Sequence, residues 1–168
     1  KQVFLIGLKS DEKRLTIGKA VGADHILYSE DGPEEAVMDL TDGRGCEFVL
    51  ECSASERGVQ HAIDCARKAY EGPGGKGVVC FISLWGKPIT VRLDQVSLGQ
   101  LDIRGSWSWN GVETWEHAVD LLARGVFDLD AMITNHYRLE EWELAFANLR
   151  AKEDLKALIH PNGRDWAH

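Results

Sequence analysis

Short apolar runs, separated by charged or glycine-containing turns, set the rhythm of this chain. Val3 to Ile6 is uninterrupted and apolar, and Gly7 ends it. A charged stretch from Lys9 to Arg14 leads into Leu15, and a Gly22-Ala-Asp24 turn precedes a second run at His25-Ile-Leu. Apolar runs of this length bounded by turn residues read as buried strands, and the segment between them has room for one helix. Strand, helix and strand in that order form a β-α-β crossover, the building unit of doubly wound nucleotide-binding sheets. The crossover opens at the first residues, with no strand and no Gly-x-Gly-x-x-Gly turn ahead of it. A dinucleotide site normally uses both, because the pyrophosphate rests on the helix that this turn opens. The pattern is therefore that of a cofactor domain without its opening strand.

Gly32-Pro33 breaks the chain before a short helix over 34–40, and Thr41-Asp-Gly-Arg-Gly45 is a turn cluster. Glu47 to Cys52 reads as a short buried parallel strand. Ser55 is placed to cap a helix whose apolar stripe is Val59, Ala62, Ile63 and Ala66. A loop at 71–75 leads to a strand over 77–83, then to a lesser strand or extended segment at 89–93 and a strand at 101–105. Beyond these, Trp115, Ala118, Val119 and Leu122 mark an amphipathic helix that Gly125 ends. A strand-like 133–137, a helix marked by Trp142, Ala145, Phe146 and Leu149, and a strand over 155–159 complete the series. The tail from Asn162 is polar. Strands near 2–7, 25–28, 46–51, 77–83 and 101–105 are expected as parallel members of one sheet with helices on both faces. In the order 3-2-1-4-5-6 the missing strand is central, so the first and third visible strands should flank a gap rather than pair.

Composition narrows the role. A hydrophobic fraction of 44% supports a sizeable core, and a formal charge of -8 without acidic blocks argues against binding a phosphate backbone. No apolar run approaches the roughly 20 residues that span a bilayer, and no signal-peptide pattern opens the chain. Cys46, Cys52, Cys65 and Cys80 form no C-x-x-C pair and accompany no histidine cluster at ligand spacing. They read as buried, reduced thiols of a cytoplasmic protein.

The six histidines form no recognisable constellation in the sequence, and His136 reads as a partly buried packing histidine, with an approach to a cleft as the alternative. Glu51 ends a strand, and ligands of open α/β sheets bind beyond the carboxyl ends of strands. It reads either as part of a ligand site or as a carboxylate that ties down the loop after it. The end of the first strand bears on cofactor choice. A carboxylate there accepts ribose hydroxyls in NAD sites, whereas NADP sites add a basic group for the 2′-phosphate. Gly7 followed by Lys9, Lys13 and Arg14 fits NADP, a solvated helix start explains the same charges, and Asp11 or Glu12 can still reach a ribose.

Taken together, Arg14-Leu15, Val21-Gly-Ala-Asp-His-Ile, Thr41-Asp-Gly-Arg-Gly, Glu51-Cys-Ser, Ile103-Arg-Gly-Ser106, Trp115-Glu, Leu121-Leu-Ala-Arg-Gly, Ile133-Thr and Leu139-Glu-Glu with Ala145-Phe resemble one family. It is the zinc-containing medium-chain dehydrogenase/reductase family, in its polyol (sorbitol) and threonine dehydrogenase branch, from the second Rossmann strand to the C-terminus. The resemblance implies an α/β fold: a Rossmann-type doubly wound parallel sheet lacking its first strand. It assigns residues 1–132 to a partial dinucleotide-binding domain and 133–168 to a segment returning to the catalytic domain. It implies hydride transfer between a secondary alcohol or sugar alcohol and NAD or NADP, with zinc acting as a Lewis acid and held only in an N-terminal catalytic domain that is absent. The chain alone should be inactive and the intact protein a homodimer or homotetramer. By family position, Cys52, Ser53 and Ala54 run beside the cofactor riboses, and Ile82, Ser83 and Leu84 pass the nicotinamide. Ser106, Trp107 and Ser108 reach its amide through backbone groups, and Lys156 contacts the pyrophosphate. Ala54 and Ser83 stand where the family usually has glycine, and the loop from Tyr70 to Lys76 is longer than usual. A zinc-free quinone or enoyl reductase of the same superfamily, and a non-catalytic nucleotide-binding or oligomerisation module, are the alternative readings.

Overall fold

The computed structural model describes residues 1–70, 74–107, 111–126 and 128–163. Among them the chain forms two compact units, one of residues 1–26 with 110–168 and the other of residues 27–109.

In the first unit, strand β1 (Phe4–Gly7) is followed by a 3₁₀ turn and helix α1 (Glu12–Ala20), then by β2 (His25–Tyr28), which pairs with β1. The helix lies close on the strand because two glycines leave room for leucines. A Cβ at Gly7 would stand 2.7 Å from Leu15 Cδ2, and one at Gly18 only 2.2 Å from Leu5 Cδ2. Asp24 closes the return, its carboxylate accepting the Val3 N–H at 2.7 Å. Further on, α5 (Val112–Ala123), β6 (Ile133–Arg138), α6 (Trp142–Arg150) and β7 (Lys156–His160) follow in order. The last two strands pair in parallel, His136 opposite Leu158 and Arg138 opposite His160, with an irregularity between Ile133 and Asn135. Tyr137 and Ala145 are the buried apolar residues of this region. The apolar stripe on α5 is real but unburied: Val112, Trp115, Val119 and Leu122 are all exposed.

The second unit carries α2 (Pro33–Leu40), β3 (Phe48–Glu51), α3 (Glu56–Cys65), β4 (Val78–Phe81), α4 (Asp94–Gly99) and β5 (Asp102–Gly105). The three strands are parallel in the order β3-β4-β5, with Phe48 opposite Val78 and Val78 opposite Asp102. Val59, Ala62 and Ile63 of α3 pack with Ala66, Val79 and Leu101 into one core. Ser55 caps α3 as its position implies, its hydroxyl accepting the Gly58 N–H at 2.9 Å. Removing the six core side chains from water is the main source of stability here, at about 25 cal/mol per Å² of apolar surface. Cys65 is buried, Cys46 and Cys80 are half-buried and Cys52 is exposed, with no disulfide among them, so buried thiols describe only one of the four.

Among the described residues the five expected strands form two ladders, β1-β2 and β3-β4-β5, and β1 makes no ladder with β3, as the expected gap between them requires. The stretch 89–93, read as a lesser strand or an extended segment, is not a strand. Its N–H groups at Thr90 and Arg92 donate to the side chains of Glu56 and Gln60 on α3, at 3.0 and 2.9 Å, so a helix takes the place of a neighbouring strand.

Candidate functional site

Parallel strands aim their carboxyl ends at one edge, and the loops that leave that edge build the site. Two backbone bonds extend the ladder past the strands: Ile82 N–H to Glu51 O at 3.2 Å, and Ser106 N–H to Phe81 O at 2.9 Å. The segments after β4 and β5 are thereby held side by side. They border an open depression of about 440 Å³ lined by Phe81, Ser83, Leu84, Trp85, Gly105, Ser106 and Trp107. Its wall is mainly apolar, with Phe81 and Trp85 meeting edge to face at 5.5 Å between centroids and the two serines supplying the hydroxyls. An apolar cleft with a few placed polar groups suits a flat heteroaromatic ring.

Behind this wall lies Glu51, 3% exposed. Its Oε1 accepts the Ser53 N–H at 2.7 Å and the Ser53 hydroxyl at 2.5 Å, and its Oε2 accepts the Ser83 hydroxyl. Ser53 Oγ in turn lies 2.9 Å from Ser55 Oγ, the cap of α3. One carboxylate thus joins the loop after β3 to the loop after β4. Of the two readings of Glu51, the tie to the following loop is observed, and it reaches a second loop as well. Burial, then the neighbouring Glu51 carboxylate and Cys80, push the Cys52 thiol above its ordinary range. Ala54 adopts φ +54°, a left-handed conformation that suits glycine.

Of the residues named from sequence, Ser83, Leu84, Ser106 and Trp107 share the depression, whereas Ile82 is exposed beside it without lining it. Cys52, Ser53 and Ala54 form the loop after β3. Ser108 lies outside the described residues. The other four belong to the first unit. Gly7 serves the packing of α1, and Lys9 sits in the 3₁₀ turn after β1. Arg14 spends its guanidinium on main-chain oxygens, at 2.9 Å from Leu149 O and 2.8 Å from Asp154 O. Lys156 is exposed at the start of β7.

Two histidine arrangements were not visible in the sequence. His61 lies between Ser29, whose Oγ is 2.8 Å from Nε2, and Glu34, which contacts Nδ1. The order of atoms is that of a Ser-His-acid triad, but Arg57 donates to the same Nε2 at 3.2 Å and also to the Ser29 carbonyl. With its lone pair shared and Ser29 buried, the group locks α2 to α3 instead of activating a nucleophile. The second is a stacked pair, His136 Nδ1 to His160 Nε2 at 2.7 Å, across the β6–β7 ladder. Only a match of these residues in space could reveal either one. Among the described residues no group of three or more histidine, cysteine or acidic side chains is placed to hold a metal ion, and no helix is long and apolar enough to cross a membrane.

A family model described as zinc-binding dehydrogenase matches residues 3–124. Sorbitol dehydrogenase of Halalkalibacterium halodurans is 30% identical over 161 residues, covering 95% of this chain and 45% of that protein. D-arabitol-phosphate dehydrogenase of Enterococcus avium is 30% identical over 167 residues, covering 98% and 45%. An alcohol dehydrogenase structure from Thermotoga maritima superposes with a TM-score of 0.80 at 22% identity, over 96% of this chain and 44% of that one. The chain therefore spans less than half the length of the relatives it matches.

Proposed function

Because the chain belongs to the zinc-binding dehydrogenase family, we propose that it is the coenzyme-binding part of a zinc-type alcohol or polyol dehydrogenase that uses NAD or NADP. The observation that carries this reading is the depression at the ends of β4 and β5. Four residues assigned to the nicotinamide by family position, Ser83, Leu84, Ser106 and Trp107, border it together. The fit is chemical as well as positional: the apolar side chains would flank a planar ring, the two serine hydroxyls would stand at its rim, and Gly105 adds no side chain there. When bound, the nicotinamide accepts or donates the hydride. The chain's own residues bind the ring, exclude water from one face and orient its amide.

Cys52, Ser53 and Ala54 are proposed to run beside the riboses, and Lys156 to meet the pyrophosphate. Lys9, in the 3₁₀ turn after β1, is the proposed partner of a 2′-phosphate if NADP is used. The stretch 133–168 is proposed to return to a catalytic domain that supplies the zinc ligands, and the intact protein to be a cytoplasmic homodimer or homotetramer acting on a small alcohol or sugar alcohol. Titration calorimetry of the full-length protein with NAD and NADP, followed by turnover of sorbitol and other secondary alcohols, tests the reading. Binding of at least one cofactor is expected, and a full-length protein that binds neither refutes it.

A further inference from the structure

The Glu51 carboxylate is buried, yet every group that holds it is neutral. The Ser53 N–H can only donate, the Ser53 hydroxyl joins it on Oε1, and the Ser83 hydroxyl takes Oε2. No ion pair among the described residues includes Glu51. A negative charge in such surroundings is screened far less than at the surface. Ser83 is the link outward: it lines the depression and spends its O–H on Glu51, so its oxygen is left to accept. The wall of the depression is electronegative for two reasons, a buried charge behind it and an acceptor on it.

A nicotinamide ring is cationic when oxidised and neutral when reduced. Taking that ring to enter the depression, as proposed above, we infer that Glu51 is a specificity-determining residue that biases the site toward the oxidised cofactor. Its charge separates the two redox forms because only the ring differs in charge between them.

The test uses the full-length protein and three probes: the oxidised cofactor, the reduced cofactor and ADP-ribose, which lacks the ring. Glu51→Gln keeps the shape of the side chain and removes the charge. It is expected to weaken the oxidised form about threefold to tenfold relative to the reduced form, the scale of one charge reduced by distance and by solvent in the open depression. ADP-ribose should weaken less than the oxidised form, because any loss through the Ser53 loop is common to all three probes. Ser83→Ala removes the acceptor on the wall and keeps the carboxylate, so the preference for the oxidised form should persist and fall by less than in Glu51→Gln. If Glu51→Gln fails to fold, Ser83→Ala decides alone: a preference that vanishes there assigns it to the hydroxyl and overturns the inference. Equal weakening of all three probes by Glu51→Gln reduces Glu51 to a brace and overturns it too, as does an unchanged ratio. Unaltered protein that binds ADP-ribose but shows no preference between the two redox forms overturns the inference while leaving the cofactor reading standing. Protein that binds none of the probes removes both.

Discussion

Ala54 holds a left-handed backbone at φ +54°, one residue before the serine that caps α3. An L-residue with a Cβ pays about 1–2 kcal/mol for that conformation, and glycine pays little but loses more freedom on folding. Ala54→Gly is therefore expected to stabilise the protein by about 0.5–1 kcal/mol, seen as a higher denaturant midpoint with an unchanged slope. A lower midpoint would show that neighbouring contacts, not strain, set the loop. Gly77 is the opposite case. A Cβ there would stand 2.8 Å from Arg67 N and 3.0 Å from Cys46 O, both main-chain atoms that cannot yield. Gly77→Ala should cost about 1–3 kcal/mol in the same measurement. Some of this was legible in advance: the Ser55 cap follows from residue type and position, and Ala54 stood out against the usual glycine. The company of His61 was not. Ser29 and Glu34 lie 32 and 27 residues away, and no periodicity reports a contact at that range.

Tyr137 shows how a whole element depends on one polar cluster. Its hydroxyl donates to Asp154 at 2.5 Å and accepts from Asn135 and Asn148 at 3.0 and 2.7 Å, joining β6, α6 and the turn before β7. The bond to Asp154 raises the Tyr137 pKa above its ordinary value. A phenol held protonated in the folded state contributes stability that is complete below the unfolded value of about 10 and is lost as pH climbs from there through the folded value. Thermal unfolding followed from neutral to alkaline pH should show this decline, and Tyr137→Phe should be less stable at neutral pH with a shallower alkaline decline. A variant with the parent's full alkaline slope would place that titration elsewhere. Element existence was readable here, since β6, α6 and β7 all follow their apolar patterns. α4 was not, because Asp94–Gly99 is too short to complete a stripe. The stripe on α5 was readable, but a hydrophobic pattern records that a face needs cover and not which segment supplies it.

At the scale of the whole molecule, the described strands form the ladders β1-β2 and β3-β4-β5, and no ladder joins β1 to β3, which is the gap expected between them. The residues present also carry a functional expectation. The chain has no phosphate-binding glycine turn and, among the described residues, no metal-ligating cluster. Purified 1–168 should therefore not oxidise alcohols with NAD or NADP, and turnover at rates ordinary for the family would contradict this. In the full-length protein the charge most exposed to test is Lys156. It opens β7 with its side chain exposed, while Leu158 and Ile159 continue the strand. A cation facing a pyrophosphate contributes about 1–2 kcal/mol through a charge-assisted hydrogen bond. The pyrophosphate is common to both cofactors, so Lys156→Ala should weaken NAD and NADP alike by that amount. Lys9→Ala should weaken NADP alone, because only NADP carries the 2′-phosphate. Dissociation constants for both cofactors that do not move in the Lys156 variant would make that residue a solvated lysine on a surface strand.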